Sequence, residues 1–203
     1  MKNTRTLLYV AIAVVVLALL GSSAYTIWQD QQAFRGSEIT PSTVAAPIQL
    51  QRLDGTPFDL SQQAGRVVVL YFGYTHCPDY CPGTLAKFQQ IYTRLGEQAS
   101  QVDFVFITAD PDRDTPSVAD EYARYFNPAF IGLSGDIETL DPIWRNYYVG
   151  RQIVPMPQSA LEYAVNHSTR AYVVDTQGNL RLTFPFEMQV SDMTHDLQLL
   201  LAE

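Results

Sequence analysis

Cys77 and Cys81 are the two cysteines of the chain, set in YFGYTHCPDYCPGTL with three residues between them and a proline after each. Thiols this close can form a structural disulfide, run a thiol–disulfide couple, or supply part of a metal site. In each active case the working species is the thiolate, which is both nucleophile and ligand. A thiolate pair selects soft ions, Cu(I) above all, with Zn(II) the usual rival. Structural zinc asks for four protein ligands, whereas Cu(I) accepts a smaller set. The chain offers three histidines, His76, His167 and His195. His76 abuts Cys77, and neighbours in an extended segment point apart. His195, beside Asp196, reads as a solvated helix residue. His167 stands at the entrance of a strand, where a turn residue and a ligand are about equally good readings.

The spacing of Cys77 and Cys81 suits one helix face, yet each precedes proline, which disfavours helical backbone. The expected arrangement is a loop from Cys77 to Cys81, with Cys81 near the N-cap and Pro82 in the first helical turn. There the positive helix end would lower the Cys81 pKa. Asp79, between the cysteines, reads as a cap for backbone N–H groups. Asp110, Asp112 and Asp114 are hard ligands suited to Mg or Ca, but turn and cap roles explain them more simply. Arg113 either meets an acidic partner or pairs within its loop. Met156 reads as filler in a proline-rich loop. Tyr71, Phe72 and Tyr74 read as core, and Tyr147 and Tyr148 as residues near the site.

The elements that must position these residues follow from periodicity. RVVVLYF (66–72) and VDFVFITAD (102–110) are continuous apolar runs, expected as strands buried on both faces. Helical spacing covers 85–95, ending at Gly96; a second helix follows Thr115 as N-cap with Pro116 at its first position. Hairpins are expected around Asp54-Gly55 and Thr176-Gln177-Gly178. A short strand at 130–133, helices at 137–148 and 189–201, and an irregular stretch at 149–166 complete the reading. This order is that of an α/β, thioredoxin-like sandwich with a central mixed sheet, its site at the C-terminal ends of the central strands.

Lys2 and Arg5 precede a stretch from Thr6 to Gln29 without a charged residue. It is long enough for a transmembrane helix with a cytoplasmic N-terminus. Its length and its aromatic pair, Tyr25 and Trp28, favour an anchor over a signal peptide cleaved near Ser22-Ser23-Ala24. The expected layout is a cytoplasmic 1–5, an anchor at 6–28, a polar tether at 29–46 and an exported domain at 47–203. A net charge of −8 without a basic cluster argues against nucleic acid as a partner. Outside the cytosol an adjacent thiol pair oxidises unless a reductant or a metal holds it.

GYTHCPDYCP, TADPDRDTP and NHSTRAYVVD, in that order behind an N-terminal anchor, resemble the Sco/SenC copper chaperones over roughly residues 46–201. The resemblance implies a thioredoxin-like fold binding one copper ion, Cu(I) or Cu(II), through Cys77, Cys81 and His167. It implies a role in assembling the CuA centre of cytochrome c oxidase. The partners would be the copper-bearing oxidase subunit and other copper carriers or thiol–disulfide reductants. The location would be the inner (cytoplasmic) membrane, single-pass, with the domain on the periplasmic or another exported side. The alternative it carries is a thiol–disulfide oxidoreductase, with Cys77 and Cys81 as redox pair. Asn166 departs from the family's frequent Asp before the histidine, which bears on how the imidazole is oriented.

Overall fold

The computed structural model describes residues 2–203, and side-chain surroundings for all of these except 2–8, 10, 11, 13, 27, 28 and 30. It separates into two units, Met1–Phe34 and Arg35–Glu203. The first holds helix α1 (Lys2–Gln32), on which Val14, Val15, Val16, Leu17, Leu19 and Leu20 are exposed. Among the described residues no helix is long and apolar enough to cross a membrane. The 1–5 segment and part of the 6–28 span expected as an anchor fall outside the residues whose side chains are described.

The second unit runs β1 (Ser37–Val44), β2 (Gln49–Gln51), β3 (Pro57–Asp59), β4 (Val67–Gly73), α2 (Tyr80–Leu95), β5 (Val102–Thr108), α3 (Pro116–Phe126) and β6 (Ile131–Leu133). It continues through α4 (Ile137–Asn146), β7 (Gln152–Met156), β8 (Glu162–Asn166), β9 (Ala171–Val174), β10 (Asn179–Phe184) and α5 (Val190–Ala202). Six strands form one sheet in the order β1-β10-β9-β4-β5-β6. Strands β4, β5 and β6 are parallel, whereas β9 runs antiparallel to both β4 and β10, and β1 antiparallel to β10. The mixed sheet of a thioredoxin-like fold is thus present.

Every residue of β4 is buried, because the strand lies mid-sheet with packing on both faces. Alternation divides its side chains. Val68, Leu70 and Phe72 join Val105 and Ile107 of β5 in a cluster with Phe58, Leu140, Ile143 and Trp144. Tyr71 and Phe106 face the other way, toward Phe88 of α2 and Tyr122 of α3. Parallel strands joined through α2 and α3 place the ends of β4 and β5 side by side, with Gly73 opposite Thr108. Thr115 caps α3 by accepting from the Val118 N–H, and Pro116 opens the helix.

Three expected segments differ. The polar stretch at 29–46 contains the end of α1 and strand β1. The side chains of β1 are largely exposed and backbone pairing to β10 holds it, so composition carries little trace of it. The stretch at 149–166 is a hairpin, β7 against β8, from Gln152↔Asn166 to Met156↔Glu162. Proline is tolerated on edge strands, and both strands of a two-stranded ribbon are edges, so Pro155 does not prevent it. Helix α4 ends at Asn146 instead of 148; Tyr148 takes a left-handed φ of 52°, outside the helical region.

Gly132 on β6 touches the backbone of α3 directly. A Cβ there would lie 2.1 Å from the Ala119 carbonyl oxygen and 2.6 Å from Asp120 Cα. Gly132→Ala must push helix and strand apart, with an expected loss of about 1–3 kcal/mol. Urea unfolding checks this as a lower midpoint with unchanged m-value.

Candidate metal centre

The loop 74–79 leaves β4 and enters α2. It hangs from one buried carboxylate at the end of the neighbouring strand. Asp114 accepts from the Thr75 N–H at 3.0 Å, the Thr75 hydroxyl at 2.5 Å and the Thr108 hydroxyl at 2.8 Å. Burial pushes the Asp114 carboxyl up, opposed by these hydrogen bonds. Cys77 closes the loop by donating its N–H to the Tyr74 carbonyl at 3.2 Å.

Helix α2 begins at Tyr80, so Cys81 lies inside its first turn and the expected loop is shorter. Pro82 costs nothing there, because first-turn N–H groups have no intrahelical acceptor. Asp79 occupies the N-cap position without a side-chain capping bond, contrary to the capping role expected of it. Cys81 is fully buried, its Sγ pressed so close to Gly73 that a Cβ at 73 would lie 2.9 Å away. The Tyr71 hydroxyl donates to Sγ at 3.6 Å, and His167 Nε2 lies at 3.6 Å.

His167 directly follows β8. Its Nδ1 is 2.8 Å from the Ser168 carbonyl. A carbonyl only accepts, so Nδ1 carries the proton and Nε2 turns a lone pair to the sulfur. The ring meets Tyr71 and Tyr74 edge-on, at centroid distances of 6.3 and 5.8 Å. Asn166 is exposed, and the Ser168 carbonyl sets the imidazole's orientation. The ligand atoms of Cys77, Cys81 and His167 all lie within 4.8 Å of one another.

Both thiols are free, and their environments drive them apart. Cys77 is pulled well below the usual thiol range, first by a hydrogen bond from Cys81 and then, against burial, by the backbone N–H groups of Cys81 and Asp79. Burial pushes Cys81 far up, helped by its bond to Cys77 and that sulfur's negative charge. The expectation that the helix end would make Cys81 the thiolate is therefore reversed. Burial outweighs the helix end at Cys81, and the partly exposed Cys77 collects the backbone donors. One thiolate, one buried thiol and one imidazole make a compact soft donor set, suited to a soft cation once the Cys81 proton leaves.

The other candidates lie elsewhere. His76 bonds the Thr75 hydroxyl at 3.0 Å and faces Asp114 at 3.9 Å. His195 Nδ1 sits 3.1 Å from Asp196 on α5. Asp110 is buried, and its carbonyl accepts from Arg113 and Asp114 in a turn. Arg113 pairs with Asp110 at 2.5 Å, within its own loop. Tyr147 points into the core against Phe72 and Tyr172, Tyr148 is 89% exposed, and Met156 is exposed on β7. Sequence reading took Tyr71 and Tyr74 as core only and passed over Gly73. Its place as the last residue of a buried strand, before a cysteine loop, was the signal for close backbone approach.

The depressed Cys77 pKa has a directional consequence. Its thiolate persists above the lowered value and is protonated only as pH falls through it. In reduced, metal-free protein, iodoacetamide should modify Cys77 alone, at a rate nearly flat between about pH 5 and 8. An ordinary thiol slows about tenfold per unit below its pKa of about 8.5. A rate climbing in that ordinary way, or prompt labelling of Cys81, contradicts the assignment.

Residues 36–202 match the family model described as SCO1/SenC. A SCO2-like protein of Rickettsia prowazekii is 31% identical over 150 residues, covering 74% of this chain and 73% of that protein. The solution structure of apo Sco1 from Thermus thermophilus superposes with a TM-score of 0.73 at 34% identity, over 82% of this chain and 96% of that one. The crystal structure of Arabidopsis thaliana ScoI with copper bound gives 0.71 at 31% identity, over 79% and 100%. Sequence and fold agree over nearly the whole second unit: the chain belongs to the SCO1/SenC family.

Proposed function

We propose that this chain is a membrane-anchored copper chaperone that assists assembly of the CuA centre of cytochrome c oxidase. It carries one copper ion on Cys77, Cys81 and His167. The observation that carries this reading is the convergence of those three donors within 4.8 Å, in a fold similar to a Sco structure with copper bound. Cys77, already a thiolate and partly exposed, would be the point of entry. Cys81 would give up its proton as the ion arrives, and His167 would bind through Nε2. Three ligands leave a position open, so an acceptor thiolate from the oxidase subunit can attack and draw the ion away by ligand exchange. Copper here is cargo.

The anchor belongs to the same proposal: residues 1–5 cytoplasmic, 6–28 across the inner membrane, a connecting segment, and the 47–203 domain on the periplasmic or other exported side. The charge-free stretch behind Lys2 and Arg5 and the bare aliphatic side chains of α1 support it, because such a surface is costly in water. A second reading, thiol–disulfide reductase, is favoured by the depressed Cys77 pKa. The Cys77 thiolate would attack a substrate disulfide and Cys81 resolve the mixed disulfide, leaving Cys77–Cys81 oxidised for another exported reductant to reset.

Anaerobic titration of the reduced chain with Cu(I) tests the main reading. One tightly bound ion per chain is expected, its uptake accompanied by release of the Cys81 proton. His167→Ala should weaken binding by about tenfold or more while both thiols remain titratable. Absence of tight binding would sink the chaperone reading; unchanged affinity in the variant would remove His167 from the site.

A further inference from the structure

The β7–β8 hairpin delivers His167, yet it is a separate two-stranded sheet. Its polar ties to the body of the unit therefore decide where the imidazole sits. One is at the base, where Ser168 N–H donates to the Val149 carbonyl at 2.6 Å and Arg151 Nε to the Ala109 carbonyl at 2.6 Å. A second grips the far end. Arg113 Nη1 donates to the carbonyls of Leu161 at 2.9 Å and Tyr163 at 3.2 Å. Its Nε meanwhile holds buried Asp110 at 2.5 Å. The Tyr163 hydroxyl donates to the second oxygen of the same carboxylate at 2.9 Å, and the guanidinium lies 3.7 Å over the Tyr163 ring. It also approaches the Tyr74 ring at 5.7 Å, the ring against which His167 packs.

A turn arginine needs only its own loop carboxylate. Reaching two carbonyls of another element while stacking on one of its rings is a different job, which the planar guanidinium fork suits. The same five-residue loop, Asp110–Asp114, also suspends the cysteine loop through Asp114. Both ligand-bearing segments are thus moored to one short piece of chain at the end of β5.

We propose that Arg113, seated on Asp110, is a positioning residue of the copper site: it latches the β7–β8 hairpin so that His167 stays beside Cys81. This rests on the copper reading above, and the test separates the two. In the full metal-free chain, NMR of the His167 ring and hydrogen exchange over 152–166 are compared between the parent and Arg113→Gln. The variant should shift and broaden the His167 ring signals, speed exchange in the hairpin, and leave the Cys77 alkylation rate within about twofold, because Asp114 still holds that loop. Its Cu(I) affinity should fall about tenfold, the range seen when outer-shell supports are lost. Arg113→Lys keeps the charge without the fork and should show the same changes, smaller; it decides the matter if Arg113→Gln does not fold.

Unchanged ring signals and hairpin exchange in a folded variant overturn the latch. So does an equal disturbance at Cys77, which marks general loosening instead of positioning. Failure of the parent chain to bind Cu(I) defeats the copper reading, and with it the role at a copper site, while the metal-free comparison still decides whether Arg113 holds the hairpin.

Discussion

Burial of Cys81 against Tyr71 and Gly73 leaves its sulfur no water to stabilise a negative charge, and the consequences spread through the site. Two thiolates side by side would repel in that setting. The pair settles as one thiol and one thiolate, with the charge on the partly exposed Cys77 and the proton on Cys81. A soft cation would replace that proton at little structural cost, because the neighbouring sulfur is already negative and Nε2 of His167 already faces inward. A larger residue than glycine at 73 could not keep this arrangement without displacing the sulfur.

The three donors come from three pieces of chain whose meeting depends on the sheet. Parallel pairing of β4 with β5 brings the cysteine loop next to the Asp110–Asp114 turn. Helix α2 starts at once behind the loop and carries Cys81 down into the wall. The hairpin enters from outside the main sheet and is held by side chains alone at its far end. Two donors are therefore built into the framework and the third arrives on an appendage, a division suited to the proposed role of taking up an ion and passing it on.

Much of this was legible in the chain. The runs at 67–73 and 102–108 announce buried central strands because nearly every position is apolar, and Thr115-Pro116 announces a helix start. Strand β1 was not legible, since its bonds are backbone bonds and its side chains face water. The β7–β8 hairpin was masked by Pro155 and Pro157, which local rules read as irregular. The protonation pattern of the cysteines was beyond sequence reasoning for another reason. Helix-end electrostatics can be read from spacing, but the burial that overrides it at Cys81 depends on Tyr71, Gly73 and the packing between them. His167 came from resemblance to a family, and its Nε2 lies 3.6 Å from the Cys81 sulfur.

The central claim is that one thiolate, one buried thiol and one oriented imidazole together form a single copper site. X-ray absorption at the copper edge of the anaerobically loaded full chain addresses it most directly. The account predicts a first shell of two sulfurs and one imidazole nitrogen, with the imidazole's outer-shell scattering lost in His167→Ala and the sulfurs retained. A shell with no imidazole, or with sulfur from a single cysteine, would contradict it.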